Sequence, residues 1–418
     1  MYENLAVMAL LVFLYSIFAG RLERTPISGP IVFVVAGFIL GPMALGWIEG
    51  DVTDKQLRVI ADLTLALILF IDAANADLTI LRRQIKIPAR MLLIGLPGVI
   101  ALGFGLAVWM FDGLTLYEAA ILGTMLAATD AALGKAVITN KAVPVRVREG
   151  LNAESGLNDG LCVPVLFVLI ALAEGTGSGE GGTGLALRFV AQELGIGMAV
   201  GLGLTAIGGW LMQFCWKRGW VTKMWMHISV ITLALAAFAL AQSLHGSGYI
   251  AAFTGGMLFG YLAREATHEL VHAAEVNGET LAMLTWFVFG GAVIGQQMDL
   301  FTWEVVVYAV LSLTVIRVLP IFLSLTGSGE SVSSRLFLGW FGPRGLASIV
   351  FAIIVINTDL PGARFMTIVV VCTVFLSLIA HGLSANPLAK WLAAKESGGY
   401  IGTLLIICLI YFDMPHLF

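Results

Sequence analysis

Charge is what this sequence lacks most. Of its 418 residues only 12% are Asp, Glu, Lys or Arg, against 59% hydrophobic, and the mean hydropathy is +0.94. So small a polar complement excludes a soluble domain of any size and implies an integral membrane protein. Cysteine is scarce as well. Cys162, Cys215, Cys372 and Cys408 all fall in or beside apolar runs without paired ligand spacing, which argues against a disulfide framework or a zinc site. Residues 1–20 carry no basic leading segment and no small-residue cleavage site, so they are read as a first span rather than a removed signal peptide. The net charge of -4 says little, because topology depends on where Lys and Arg stand. No cofactor and no nucleic-acid partner is expected.

What the sequence has in abundance is apolar runs long enough to cross a hydrocarbon core of roughly 30 Å as helices. About thirteen spans are expected, at 4–20, 27–47, 57–78, 88–111, 116–138, 150–173, 185–215, 223–245, 248–263, 279–296, 301–325, 333–357 and 364–383. Basic connections alternate with acidic or neutral ones: Arg21/Arg24, Arg82/Arg83/Lys86, Lys141/Arg146/Arg148 and Lys217/Arg218/Lys223 face one side, and Glu49/Asp51/Asp54, Asp112 and Glu174/Glu180 the other. The positive-inside rule then puts the amino terminus outside and the carboxyl terminus in the cytoplasm. A Gly-rich run, "EGTGSGEGGTG" at 174–184, is the best linker in the chain.

This gives an all-α polytopic architecture with residues 1–173 as a first six-helix repeat, 174–222 as linker and connecting helix, 223–383 as a second repeat, and 384–418 as a tail. One intervening span reverses the entry side, which is the parity of inverted repeats. The fifth member of each unit is interrupted, by "LAATDAALGK" at 126–135 and "GWFGPRGLAS" at 339–348. Small and helix-breaking residues at matching places in two halves predict two broken helices that build an ion site.

Ionisable groups well inside these spans are Asp62, Asp72, Asp130, Lys135, Glu154, Asp159, Arg317 and Arg344. Each costs about 2.5–3.5 kcal/mol at a helix centre, so each calls for a reason. Counting at 1.5 Å per residue places Asp130 and Asp159 both about 12–14 Å from the cytoplasmic boundary, with Asp72 at about 9 Å. Within "LNAESGLNDG" at 151–160, Ser155 and Asp159 share one helix face and Glu154 and Asn158 another. Asp159 and Ser155 thus offer hard oxygen ligands to a small cation, whereas Glu154 calls for a cation of the protein's own. Arg317 is favoured as that partner over Arg344, which suits the partial charges at a helix break. For Asp62 an interfacial or packing role is expected, for Lys135 snorkelling to the inner interface, and for Asp72 a structural carboxylate is weighed against a site ligand. Gly37, Gly41, Gly255, Gly256 and Gly260 read as helix-packing notches. His227, His245, His268, His272 and His381 form no compact constellation, and the polar connection 264–279 reads as a solvated loop.

The ordered set "ATDA" at 128–131, "AESGLNDG" at 153–160, "LFIDAANADL" at 69–78, "GSGYIAAFTGGMLFG" at 246–260, Arg317 and "GPRGLAS" at 342–348 resembles the electroneutral Na+/H+ exchanger branch of the monovalent cation:proton antiporters, including bacterial NhaP-type exchangers. The resemblance covers most of the chain. It implies a homodimer in a lipid bilayer, with a dimerisation bundle, a six-helix core and two broken helices crossing near the site. It carries cation and proton binding onto Asp159, Asp130, Ser155 and Thr129, the last through its backbone carbonyl, with Asn158 standing where electrogenic relatives have a second aspartate. A Glu154–Arg ion pair is implied in the core. Span ten has no interior Lys or Arg, again as in the electroneutral branch, while Ala131 departs from the family's usual proline and the apolar run 400–418 has no match.

The implied activity is electroneutral one-for-one exchange of H+ for Na+, or Li+ or K+, by alternating access, in a bacterial cytoplasmic membrane. H+ and the cation would compete for one site centred on Asp159, neutral enough to move when filled and costly to carry when charged. An enzyme is not expected. Thr129-Asp130 and Leu157-Asn158-Asp159 do not resemble the motifs of intramembrane aspartyl proteases, and a passive cation channel is the other alternative.

Overall fold

Lipid offers backbone groups no hydrogen-bond partner, so apolar runs of this length close their bonds internally as helices. A computed structural model describes residues 2–22, 25, 28–41, 44–46, 54–76, 86–130, 133–138, 140, 142–176, 182–263, 266–294 and 298–396, and among them no strand occurs. The helices are α1 (Tyr2–Leu22), α2 (Gly29–Leu40), α3 (Asp54–Asn75), α4 (Lys86–Met110), α5 (Leu116–Met125), α6 (Lys135–Ile138), α7 (Val145–Thr176), α8 (Gly182–Lys217), α9 (Lys223–Ser243), α10 (Gly248–Ala263), α11 (Thr267–Val288), α12 (Trp303–Leu313), α13 (Val315–Ser324), α14 (Val332–Trp340), α15 (Leu346–Ile356) and α16 (Ala363–Glu396). Six of the described segments are long and apolar enough to cross a membrane: α4, α7, α8, α9, the pair α12–α13, and α16. Large exposed side chains such as Trp109, Trp210, Trp220, Trp225 and Trp303 suit an exterior bathed in lipid rather than water.

Local chemistry sets several of the helix ends. Thr115 and Glu118 cap α5 reciprocally, each satisfying the other's backbone N–H, while Thr302 and Ser331 accept the early N–H groups of α12 and α14. In α4 the turn Met91–Gly95 widens to a π turn, the Leu96 N–H reaching Met91 O, immediately before Pro97, which has no N–H to continue the regular ladder.

The structure departs from the sequence reading in three places. The polar stretch read as a loop at 264–279 is helical from Thr267, because Val271 and Ala274 form a fully buried stripe beneath the exposed His272 and Val276. Span eleven is divided at Thr314, whose ψ of -92 interrupts the ladder between α12 and α13. The last span continues to Glu396, so residues 384–396, assigned to the tail, extend α16. Residues 397–418, with the apolar run 400–418, lie outside the described residues.

Helices α3 and α10 meet along the face that carries Gly256 and Gly260. A Cβ on Gly256 would run into the Phe70 carbonyl of α3, and backbone there cannot step aside as a flexible side chain would. Gly256→Val should therefore lower stability by about 1–3 kcal/mol, read as a lower melting temperature in detergent, whereas Gly105→Val, which meets nothing within 4 Å, should not.

Candidate functional site

Two stretches of backbone leave the helical path inside the bundle. The first comprises residues 126–130 and 133–134, between α5 and α6, and the second runs from Phe341 to Gly345 between α14 and α15. They cross and satisfy each other. The Asp130 N–H donates to Pro343 O at 2.8 Å, and the Asp130 carboxylate accepts from the Leu346 N–H at 2.9 Å, capping the amino terminus of α15. Its other oxygen accepts from the Leu133 N–H at 3.3 Å. The Arg344 guanidinium donates to the Ala127 and Ala128 carbonyls at 2.9 and 3.2 Å, and the Ser348 hydroxyl to Met125 O at 2.8 Å. Gly345 is obligatory at the crossing, since a Cβ there would overlap the Asp130 carboxylate.

Helix α7 passes the crossing with two faces doing different work. On one, Glu154 and Arg317 form a two-pronged ion pair at 2.8 and 3.0 Å, both side chains 0% exposed. Asn158, one turn along, donates to Glu154, to Ala127 O and to the Thr129 hydroxyl at 3.0–3.1 Å, and accepts from the Cys162 thiol at 3.2 Å. The Thr129 hydroxyl reaches Glu154 at 3.4 Å. The sequence reading placed Asn158 among the cation and proton ligands; here its amide is committed to the Glu154 side, as its i, i+4 position dictates. Of the two arginines weighed as partner to Glu154, Arg317 makes the contact and Arg344 serves the break.

The other face carries Ser155 and Asp159, 4% and 6% exposed. The Thr129 backbone lies beside the Asp159 carboxylate. Asp159 Oδ1 is buried with no hydrogen-bond partner among the described residues. Asp72 of α3 packs its backbone against Gly156, one residue beyond Ser155, and is half-buried. Asp72, Asp130 and Asp159 stand close enough to repel one another. Three acids this close in a low-dielectric interior favour anything that supplies positive charge there, a proton or a cation.

Other groups singled out in the sequence lie elsewhere. Asp62 accepts from the Tyr249 hydroxyl at 2.6 Å and stands 3.7 Å from Arg58. Ala131 and the side chain of Lys135 lie outside the described residues. Two buried polar groups were missed. Glu118, besides its capping role, accepts from the Gly362 N–H at 2.6 Å, and the Thr-x-x-Glu spacing of 115–118 signals the capping part of that role. His381 of α16 is 1% exposed, and nothing in its sequence context marks it.

Removing the charge of Glu154 leaves the Arg317 guanidinium buried beside an amide. Glu154→Gln should lower stability by about 3 kcal/mol, seen as a falling melting temperature before any specific loss of activity. An unchanged melting temperature would show that the pair does not hold the core.

The chain resembles known proteins over most of its length. It is 27% identical over 409 residues to the K(+)/H(+) antiporter NhaP of Alkalimonas amylolytica, covering 94% of this chain and 68% of that one. It is 25% identical over 366 residues to the K(+)/H(+) antiporter NhaP2 of Shewanella sp. (strain ANA-3), covering 86% and 62%. The chain thus spans about two-thirds of the length of these relatives. Its fold matches the sodium proton antiporter MjNhaP1 from Methanocaldococcus jannaschii with a TM-score of 0.73 at 22% identity, covering 93% of this chain and 98% of that one. The family model described as sodium/hydrogen exchanger, transmembrane, matches residues 7–391. With crossed helix breaks and a match of that extent, the chain belongs to the transmembrane sodium/hydrogen exchangers, an integral membrane family of cation:proton antiporters and not of enzymes.

Proposed function

We propose that this protein exchanges a monovalent cation for H+ across the membrane by alternating access at a site centred on Asp159. The observation that carries this reading is the buried Asp159 Oδ1, which has no hydrogen-bond partner among the described residues and stands within electrostatic reach of Asp72 and Asp130. Ser155 and Asp130 complete the oxygen ligands, and Thr129 orders the Asp159 carboxylate. A carboxylate so placed holds either a proton or a cation, and each arrival displaces the other. Loaded, the site is neutral enough to pass the apolar barrier; charged, it costs too much to move. That asymmetry is what couples the two fluxes.

One-for-one, electroneutral exchange follows from a single acid of this kind on α7, with Asn158 in place of a second. Oxygen ligands alone accept Na+, Li+ or K+, which differ in cavity size and dehydration. Relatives named as K(+)/H(+) antiporters and a fold neighbour named as a sodium proton antiporter make both K+ and Na+ the first ions to try. In the same reading the chain has two inverted six-helix repeats, residues 1–173 and 223–383, joined through 174–222, with about thirteen spans. It works as a homodimer in a bacterial cytoplasmic membrane, amino terminus outside and carboxyl terminus inside.

Reconstituted in proteoliposomes, the protein should dissipate an imposed pH gradient on addition of at least one of Na+, Li+ or K+. Clamping the membrane potential at zero should leave the rate unchanged; a strong voltage dependence would refute the electroneutral stoichiometry. Dissipation driven by cation leak without coupled H+ movement would identify a channel instead. Asp159→Asn should abolish exchange while leaving a folded protein, and full activity in that variant would refute the site.

A further inference from the structure

The second break is held from a direction the exchange site does not use. Helix α16 passes behind it and presents Ser377, His381 and Ser384 at i, i+4 and i+7, on one face. His381 Nε2 lies 3.0 Å from Trp340 O, the last residue of α14. His381 Nδ1 lies 3.1 Å from the Ser377 hydroxyl, and that hydroxyl accepts the Arg344 N–H at 2.7 Å. Trp340 is fixed further by its indole N–H, which donates to Ser384 Oγ at 2.9 Å, and by its ring, which lies 5.3 Å from the imidazole.

Donor and acceptor roles in this chain resolve in one way for a neutral ring. A carbonyl only accepts, so Nε2 carries the proton that bonds to Trp340 O. Nδ1 is then an acceptor, and the Ser377 hydroxyl supplies it. The carbonyl of Ser377, 3.0 Å from Nδ1, is the ordinary helix acceptor for the His381 backbone N–H. The sequence of bonds runs Arg344 N–H to Ser377 Oγ, Ser377 O–H to His381 Nδ1, and His381 Nε2–H to Trp340 O. Two side chains on one helix therefore tie together the residues at both ends of the unwound segment 341–345. These are backbone groups that a broken helix in a membrane must place somewhere.

We propose that Ser377 and His381 are positioning residues for the cation site, a clamp that sets the shape of the second break and through it the placement of the first. The transmission is short. Pro343, inside the clamped segment, accepts the Asp130 N–H; Arg344, at its edge, donates to the carbonyls of Ala127 and Ala128; Leu346, just beyond it, binds the Asp130 carboxylate. Thr129, whose backbone lies beside the Asp159 carboxylate, stands between those contacts in the chain. Neither Ser377 nor His381 touches the cation. Their effect falls on how well the ligands are placed for it, and so on cation affinity before turnover.

The inference rests on exchange at the Asp159 site, and the test separates the two. Cation-driven dissipation of a pH gradient in proteoliposomes is measured with Na+, Li+ and K+ in turn, for wild type, Ser377→Ala, His381→Leu, the double variant and His381→Gln. Loss of the clamp should raise the KM for the cation by about tenfold, the scale of one hydrogen bond, with a much smaller change in maximal rate. The double variant should be no worse than the more affected single variant, because both break one chain of bonds. Gln, whose amide can donate to Trp340 O and accept from Ser377, should recover most of the affinity. Unchanged KM in Ser377→Ala and His381→Leu, or losses that multiply in the double variant, would overturn the clamp. A purely structural role would lower the melting temperature and the active fraction, hence the maximal rate, and leave KM alone. If His381→Leu does not fold, Ser377→Ala decides, since it removes a single oxygen. A wild type that exchanges none of the three cations would refute the exchange reading itself, whereas normal wild-type exchange with unmoved KM refutes the clamp only.

Discussion

Backbone that leaves the helix inside a membrane must find every hydrogen-bond partner within the protein. This constraint organises the centre of the molecule. The two unwound stretches solve it by crossing, so that the amide of Asp130 meets the carbonyl of Pro343, the amide of Leu346 meets the carboxylate of Asp130, and Arg344 covers the carbonyls left by the first break. The residues that distinguish these stretches follow from that solution. Glycine stands at 345, where backbone and carboxylate touch. Proline stands at 343, where only a carbonyl is needed. An acid stands at 130, where a helix amino terminus needs an acceptor.

Around the crossing, α7 separates structural charge from reactive charge by rotation alone. Glu154 is neutralised by Arg317 and bracketed by Asn158, so that charge is spent inside the fold. Asp159, five residues on, faces other acids. Thr129 stands between the two, its hydroxyl turned to Glu154 and its backbone to Asp159. A single strand of unwound chain therefore feels both environments, which makes the ion pair a support for the site as well as for the core.

Much of this was legible in the sequence because intramembrane charges are costly and helical geometry is regular. Depth counting brought Asp130 and Asp159 to one level, and 100° per residue divided Glu154 from Asp159. Interruption by Thr-Asp and Gly-Pro-Arg-Gly located both breaks. Where the reading went astray, the reason is equally physical. The start of α11 was hidden because its buried stripe is thin and its exposed face carries the polar residues of a loop. Asn158 was grouped with the ligands although its own periodicity put it with Glu154. The contacts of His381 were invisible because its partners are a carbonyl and, through Ser377, an amide, groups every residue has.

The capping of α15 by Asp130 holds one of the three acids stiffly in place. A carboxylate that accepts from two backbone N–H groups cannot move away without uncapping a helix in the middle of the membrane. Asp72 is held differently: it comes from α3, a separate helix that touches α7 at Gly156, where no side chain keeps the two apart. The spacing of those two backbones, set by a missing side chain at 156, therefore fixes how near Asp72 comes to the acids of the crossing.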